Sequence, residues 1–287
     1  MLDAKIESFL TVVELKSYTA AAEALHLTQP AVTQHIHKLE AHYGCRLIDS
    51  SRRSVQVTEA GELLYAYLRL QQANEKQFSQ LLRNVADPLR VGATLSIADY
   101  YLPEPLVDRL LAGGERIRVL VGNTASLLEQ LGAGELDCAF IEGLFDTALF
   151  VDHTFYQAPF LPVVRAGHPL LGRAVTLEEL RAYPLALREP HSGTREVFET
   201  WLRQQNDTPR SFAGMVELGS FVLIKELVRR SDAVTIVYEA VARAELARGT
   251  LCTLELENFA VSHALRFVYR RGDPRHALLE RIYQDLL

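Results

Sequence analysis

Apolar residues in the first sixty positions recur with a helical period and then give way to alternation. Ile6, Phe9, Leu10 and Val13 stand at i, i+3, i+4 and i+7, one stripe of a helix over about residues 3–15. Ser17 offers an N-cap for a second helix to Leu25, whose Ala20, Ala21, Ala22 and Ala24 permit close packing. After His26 and Leu27, Thr28 caps a third helix. Pro30 sits in its first turn, where a missing N–H does no harm. At 100° per residue, Val32, Ile36 and Leu39 share one face of this helix. Pro30, Gln34, His37, Lys38 and Ala41 share the other, with Thr33 beside them. His35 lies about 80° from the apolar centre and reads as packing or flank. Gly44 ends the helix, and residues 47–57 alternate around the Ser50-Ser51-Arg52-Arg53 tip, which predicts a two-stranded wing.

From Thr58 a long helix runs to about Val85. Leu63, Tyr67, Leu70, Asn74, Gln77 and Leu81 step alternately by four and three, a coiled-coil rhythm broken by polar residues. A dimerising linker and a plain amphipathic helix both fit. Asp87-Pro88 ends it. Beyond Pro88, short β-rich runs (89–95, 116–121, 136–141, 185–187, 212–218, 233–237 and 265–269) alternate with helical patterns, which predicts parallel sheets. The chain therefore divides into an all-α winged helix-turn-helix (1–58), a linker helix (59–87) and a two-lobed α/β domain (88–287). Lobe I covers about 88–160 and 264–287, and lobe II about 161–263.

The 287 residues carry a net charge of −6, which at first argues against nucleic acid. The charge is uneven, however. Between Thr28 and Thr58, Lys38, Arg46, Arg52 and Arg53 face only Glu40 and Asp49, and His35, His37 and His42 add charge below neutral pH. No signal peptide and no run of roughly 18 apolar residues is seen, so a cytoplasmic, membrane-free protein is expected. Cys45, Cys138 and Cys252 are odd in number and in no ligand spacing, and are read as small core residues with no disulfide or metal.

Helix three decides the class. The run S17-Y-T-A-A-A-E-A-L-H-L-T-Q-P-A-V-T-Q-H-I-H-K-L-E40, followed by G44-C-R-L-I and V57-T-E-A-G61, resembles the amino-terminal signature of LysR-type transcriptional regulators. The remainder resembles that family's effector domain, which is similar to periplasmic solute-binding proteins. The resemblance implies double-stranded DNA, a small-molecule effector and a second copy of the chain as partners, in a homodimer or homotetramer, with RNA polymerase a further one. His35 and Ser50 depart from the family's usual Gln and Arg, so base preference and wing contacts are not carried over.

Thr28, Gln29, Pro30, Thr33, Gln34, His37 and Lys38 are the DNA-facing candidates on helix three, because polar side chains meet base edges and cations meet phosphates. A merely solvated face is the bland alternative. Arg52 and Arg53 suit the minor groove or the adjacent backbone, and equally a solvated charge pair. In the C-terminal domain, His191-Ser192-Gly193-Thr194-Arg195 opens a helix; the same residues suit an ordinary N-cap. Two further turns, Gly92-Ala93-Thr94-Leu95-Ser96 and Gly122-Asn123-Thr124, also end strands and begin helices, and Asn123 could simply cap the helix after it. The resemblance implies that Thr94, Ser96, Asn123, Thr124, Ser192, Thr194 and Ser220 contact the effector. Hydroxyls and helix N-termini favour a small anion, an organic acid or inorganic oxyanion. No cofactor is called for.

An enzyme is not supported: no nucleophile elbow, His-x-x-x-His pair, Gly-x-Gly-x-x-Gly or P-loop is present. His153, His168, His191 and His263 are scattered and take loop or surface roles by default. The alternatives are a regulator acting without an effector and, were the N-terminal module non-functional, a solute-binding protein.

Overall fold

The computed structural model describes residues 3–49, 55–82, 88–104, 107–108, 116–143, 145 and 148–285. Compactness divides the chain into one unit comprising residues 1–86, 132–134 and 272–274 and a second holding the rest.

The first unit begins with three helices, α1 (Ala4–Leu15), α2 (Tyr18–Ala24) and α3 (Gln29–Tyr43). Their starts are capped by side chains. The Asp3 carboxylate accepts from Lys5 N–H, Ser17 from Ala20 N–H and Thr28 from Ala31 N–H. Gly44 takes φ +70° and returns its N–H to Glu40 O, the left-handed stop that glycine adopts without strain. Seven residues cannot hold α2 helical alone. Its buried Ala21 and Ala22 join a core of Phe9, Val12, Val32, Ile36, Leu47 and Leu68, which supplies the stabilisation.

A hairpin follows, β1 (Ile48–Asp49) antiparallel to β2 (Gln56–Val57), and then α4 (Glu59–Leu82). The T-E-A-G run joins these elements. The Thr58 hydroxyl donates to Arg46 O and accepts from Gly61 N–H, while Thr58 N–H donates to Leu47 O. Any Cβ on Gly61 would stand 2.2 Å from Leu47 O, so only glycine lets the helix lie this close to the hairpin. Of the stepped positions on α4, Leu70 and Gln77 are buried, whereas Leu63, Tyr67 and Leu81 are exposed. The wing tip, with Ser50, Arg52 and Arg53, lies outside the described residues, as does Asp87.

The second unit is built on β3 (Leu89–Thr94), α5 (Leu95–Tyr100), β4 (Ile117–Gly122), α6 (Thr124–Gly132), β5 (Cys138–Ile141) and β6 (Phe150–Arg165). Then come β7 (Ala174–Val175), α7 (Leu177–Arg181), β8 (Pro184–Leu187), α8 (Gly193–Gln204) and β9 (Gly214–Glu217). The chain finishes with α9 (Phe221–Arg230), β10 (Val234–Tyr238), α10 (Glu239–Ala247), β11 (Leu251–Thr253), β12 (Glu255–Leu256), β13 (Ser262–Arg270) and α11 (His276–Asp285). Among the described residues the main sheet runs β4-β3-β5-β13-β6-β10-β8-β9, with β11 also on β6.

This sheet is mixed rather than parallel, and that corrects the sequence expectation. The β4-β3-β5 and β10-β8-β9 sets are parallel, but β6 is antiparallel to both β13 and β10. The sixteen-residue β6 carries an interrupted pattern of burial and two prolines, which hid it from an alternation test. It changes partner at its middle: Pro159 faces Ser262, and Phe160 faces Tyr238.

Two smaller expectations also change. Cys138 is buried, but Cys45 is exposed and Cys252 intermediate. His168 is buried; its Nδ1 accepts from Leu170 N–H, and Nε2 lies 3.3 Å from Asp232 O. His263 Nε2 accepts from Gly143 N–H at 2.9 Å. Both rings hold backbone in place, so neither takes the loose surface role expected of it.

Candidate functional site

In the first unit, the apolar face of α3 is fully used: Val32 and Ile36 are inaccessible and Leu39 nearly so. Thr28, Gln29, Pro30, Gln34, His37 and Lys38 are exposed, and Thr33 is half-buried. The Thr33 hydroxyl donates to Gln29 O. The side chains of Gln34, His37 and Lys38 make no hydrogen bond among the described residues, so their polar ends are available to a partner. His35 is not: its Nδ1 lies 2.7 Å from the buried Ser8 hydroxyl of α1. Ring packing between helices is therefore its role in the fold.

Glu40 has a position that residue type alone does not reveal. Its Oε1 accepts from Leu47 N–H at 3.0 Å and Ile48 N–H at 3.4 Å, and Oε2 pairs with Arg46 at 3.4 Å. A buried carboxylate thus anchors the start of the wing to the end of α3, and its charge is directed inward.

In the second unit, three strand-to-helix turns converge. Thr94 ends β3, Gly122-Asn123 ends β4, and Ser192-Gly193 opens α8; with Leu95, Val121, Glu142, Arg188, Glu189 and Gly219 they line a cavity of about 230 Å³. That is room for several waters. His191, just before the cap of α8, has φ +68°, a conformation few non-glycine residues adopt. It turns the chain so that Ser192 and Gly193 face the cavity.

The candidate residues are not equivalent. Thr94, Asn123 and Ser192 line the cavity, but Ser96, Thr124, Thr194 and Ser220 do not. The Ser96 hydroxyl donates to Glu142 Oε1 at 2.8 Å and lies 2.9 Å from the Thr194 hydroxyl, which reaches the same carboxyl oxygen at 3.4 Å. The Thr124 hydroxyl donates to the Glu142 carbonyl. Asn123 Oδ1 caps α6 by accepting from Ser126 N–H, which leaves its amide nitrogen for other partners. Thr124 and Ser192 also line a neighbouring cavity of about 560 Å³ with His191 and Arg195. Ser220 begins α9 without a side-chain cap.

Glu142 and Arg188 were missed in the sequence. Glu142 follows β5 directly and is 2% exposed. Burial pushes its carboxyl above the ordinary glutamate range, against the pull of the Tyr238 and Ser96 hydroxyls, the Arg188 charge and the Thr94 hydroxyl. Gly193 makes room for it, since a Cβ there would stand 2.3 Å from Glu142 Cγ. Arg188, 6% exposed, uses Nε and Nη2 to hold Glu189, and its guanidinium lies 4.5 Å from the Phe221 ring centre. The available signals were a single acid closing an apolar strand, C138-A-F-I-E142, and a single cation closing another, L185-A-L-R188.

Comparison with known proteins gives both halves a context. Residues 4–62 match the bacterial regulatory helix-turn-helix protein, lysR family, and residues 83–287 match the LysR substrate binding domain. The RuBisCO operon transcriptional regulator of Allochromatium vinosum is 29% identical over 274 residues, covering 93% of this chain and 89% of that one. The HTH-type transcriptional regulator PcaQ of Agrobacterium fabrum is 31% identical over 261 residues, 88% and 83% of the two chains. Among solved structures, full-length LysG of Corynebacterium glutamicum with bound effector Arg superposes with a TM-score of 0.70 at 18% identity, covering 100% and 98%, a likeness of fold. With a helix-turn-helix reader, a substrate-binding domain and relatives that are transcriptional regulators, this chain belongs to the LysR family of bacterial transcriptional regulators.

Proposed function

We propose that this regulator reads DNA with the exposed face of α3 and answers to a small anionic effector held in the 230 Å³ cavity. Gln29, Thr33, Gln34 and His37 meet base edges, Lys38 and the N-terminal turn at Thr28, Gln29 and Pro30 meet phosphate, and Arg52 and Arg53 follow the minor groove. The observation that carries the effector reading is the balance of polar groups in the cavity. The Asn123 amide, the Ser192 hydroxyl and the first N–H groups of α8 are donors suited to an acceptor-rich ligand, beside an Arg188 that is already paired with Glu189.

The working unit is a homodimer or homotetramer. Exposed Leu63, Tyr67 and Leu81 on α4 support this, because a stripe of large apolar side chains in water calls for a second copy. Effector binding closes the two lobes across β6 and β13 and thereby changes how paired effector domains present their DNA readers to the operator and to RNA polymerase. The protein works in the cytoplasm, where its DNA is.

Thermal denaturation against a panel of small organic acids and inorganic oxyanions tests the effector reading. A ligand at 100 times its Kd adds about 2.7 kcal/mol to stability, a clear rise in Tm. A panel that leaves Tm unchanged removes it.

A further inference from the structure

Two buried oxygen atoms at the cleft lack a completed hydrogen bond, although the Tyr238 and Thr94 hydroxyls stand near the Glu142 carboxyl. Thr94 Oγ1 and Glu142 Oε2 each line or border the cavity, belong to residues 3% and 2% exposed, and make no well-formed hydrogen bond among the described residues. Such atoms destabilise the fold unless a ligand or water completes them. Glu142 Oε1 is already committed to Ser96 and Thr194, while on the other side the nearby Tyr238 and Thr94 hydroxyls form no well-made hydrogen bond and leave that side open to a better partner.

The charge around that open side decides what it recognises. From the segment after β8 come Arg188 and Glu189, which neutralise one another. From α8 come the Ser192–Thr194 backbone and Glu196, whose carboxylate lies near Gly143. From α5 and the residue after it come Ser96 and Tyr101, from β10 Tyr238, from α6 Thr124, and from β13 His263, which holds Gly143. Burial depresses the pKa of His263, so the ring adds no cation at neutral pH. With Glu142 ionised, the cleft would carry a net negative charge in a dry setting and repel an anion. With Glu142 protonated, its Oε2–H joins the other donors.

We infer that Glu142 is a specificity-determining residue of the effector site: as a neutral carboxylic acid it donates from Oε2 to an oxygen of a small acceptor-rich anion, and its ionised form excludes that anion. The inference rests on the anionic-effector reading and adds the group that gates it. The raised pKa of this carboxyl agrees with the geometry. The ligand class is an oxyanion or short hydroxycarboxylate small enough for about 230 Å³.

The test is calorimetric titration of the full chain with sulfate and with glycolate, whose charges are constant from pH 5.5 to 9, using wild type, Glu142→Gln and Glu142→Leu. Gln keeps an acceptor toward Ser96 and a donor on the open side, but cannot ionise. Wild type and E142Q should bind within about threefold of each other at pH 5.5. Wild-type affinity should then fall by up to about tenfold per pH unit as one proton is lost, while E142Q stays level. E142L should bind at least about tenfold more weakly than E142Q at every pH, the loss of one hydrogen bond to a charged group. Parallel profiles for wild type and E142Q, or loss of binding in folded E142Q at pH 5.5, overturn the role of Glu142 and leave the anionic reading standing. If neither anion binds any variant, the anionic reading itself fails, and this inference with it. Should E142Q not fold, as judged by circular dichroism, the wild-type profile alone decides, because a level profile overturns the proposal.

Discussion

Replacing Glu40 by alanine should loosen the wing from the helix-turn-helix without touching the effector domain. The residue is 8% exposed, and Oε1 is the acceptor for the N–H groups of Leu47 and Ile48. Removing it orphans two buried donors at about 1–3 kcal/mol each, toward the lower end for the 3.4 Å contact, or about 3 kcal/mol together. The ion pair with Arg46 adds little, because the Arg46 side chain is 70% exposed and screened. Glu40→Gln retains an acceptor in place of Oε1 and should lose less than about 1 kcal/mol. Trp201, the single tryptophan, lies in α8, so its fluorescence reports on the second unit while far-UV circular dichroism reports on both. In urea titrations, E40A should shift an early dichroism transition and leave the Trp201 transition in place. If E40A and E40Q are equally destabilised, or if the Trp201 transition moves as far as the dichroism, the anchoring role of Glu40 is wrong.

Three further outcomes are expected. Lys38→Ala should weaken binding to all DNA sequences alike and reduce the salt slope by about 0.9, whereas Gln34→Ala should change preference among sequences in a selection experiment; identical shifts in both would remove the division of roles. Placing glutamate at both Leu63 and Tyr67 should lower self-association at least about tenfold in sedimentation equilibrium, and an unchanged mass would show that the exposed face of α4 is not the contact. Burial depresses the pKa of His168 below its ordinary 6.5, so the unfolded chain binds more protons just below that pH; the stability this neutral ring contributes is present above about 6.5 and lost as pH falls toward the folded value. His168→Gln should flatten that part of the stability profile, and a slope unchanged between pH 7 and pH 5 would contradict the assignment.

The DNA-reading half was legible because its information is local. Caps at Ser17 and Thr28, the stop at Gly44 and the face bearing Val32, Ile36 and Leu39 each depend on residues within one or two helical turns, and the structure keeps them all. Even there, the meaning of Glu40 escaped, because its partners lie seven and eight residues on, across a change of chain direction. The strand-to-helix turns at Thr94, Asn123 and Ser192 were equally readable as turns, and three of the seven effector candidates line the cavity.

What the sequence determined by itself was the family, the order of elements and the helical face that reads DNA, since periodicity and capping are properties of neighbouring residues. Only the tertiary structure decided that Ser96 and Thr194 face Glu142 rather than open space, across 46 and 52 residues of chain, and that β6 runs antiparallel through the middle of the sheet. A carboxyl at the end of an apolar strand has no fixed chemistry until distant segments bury it and place donors around it. That placement comes from packing, which no local pattern encodes.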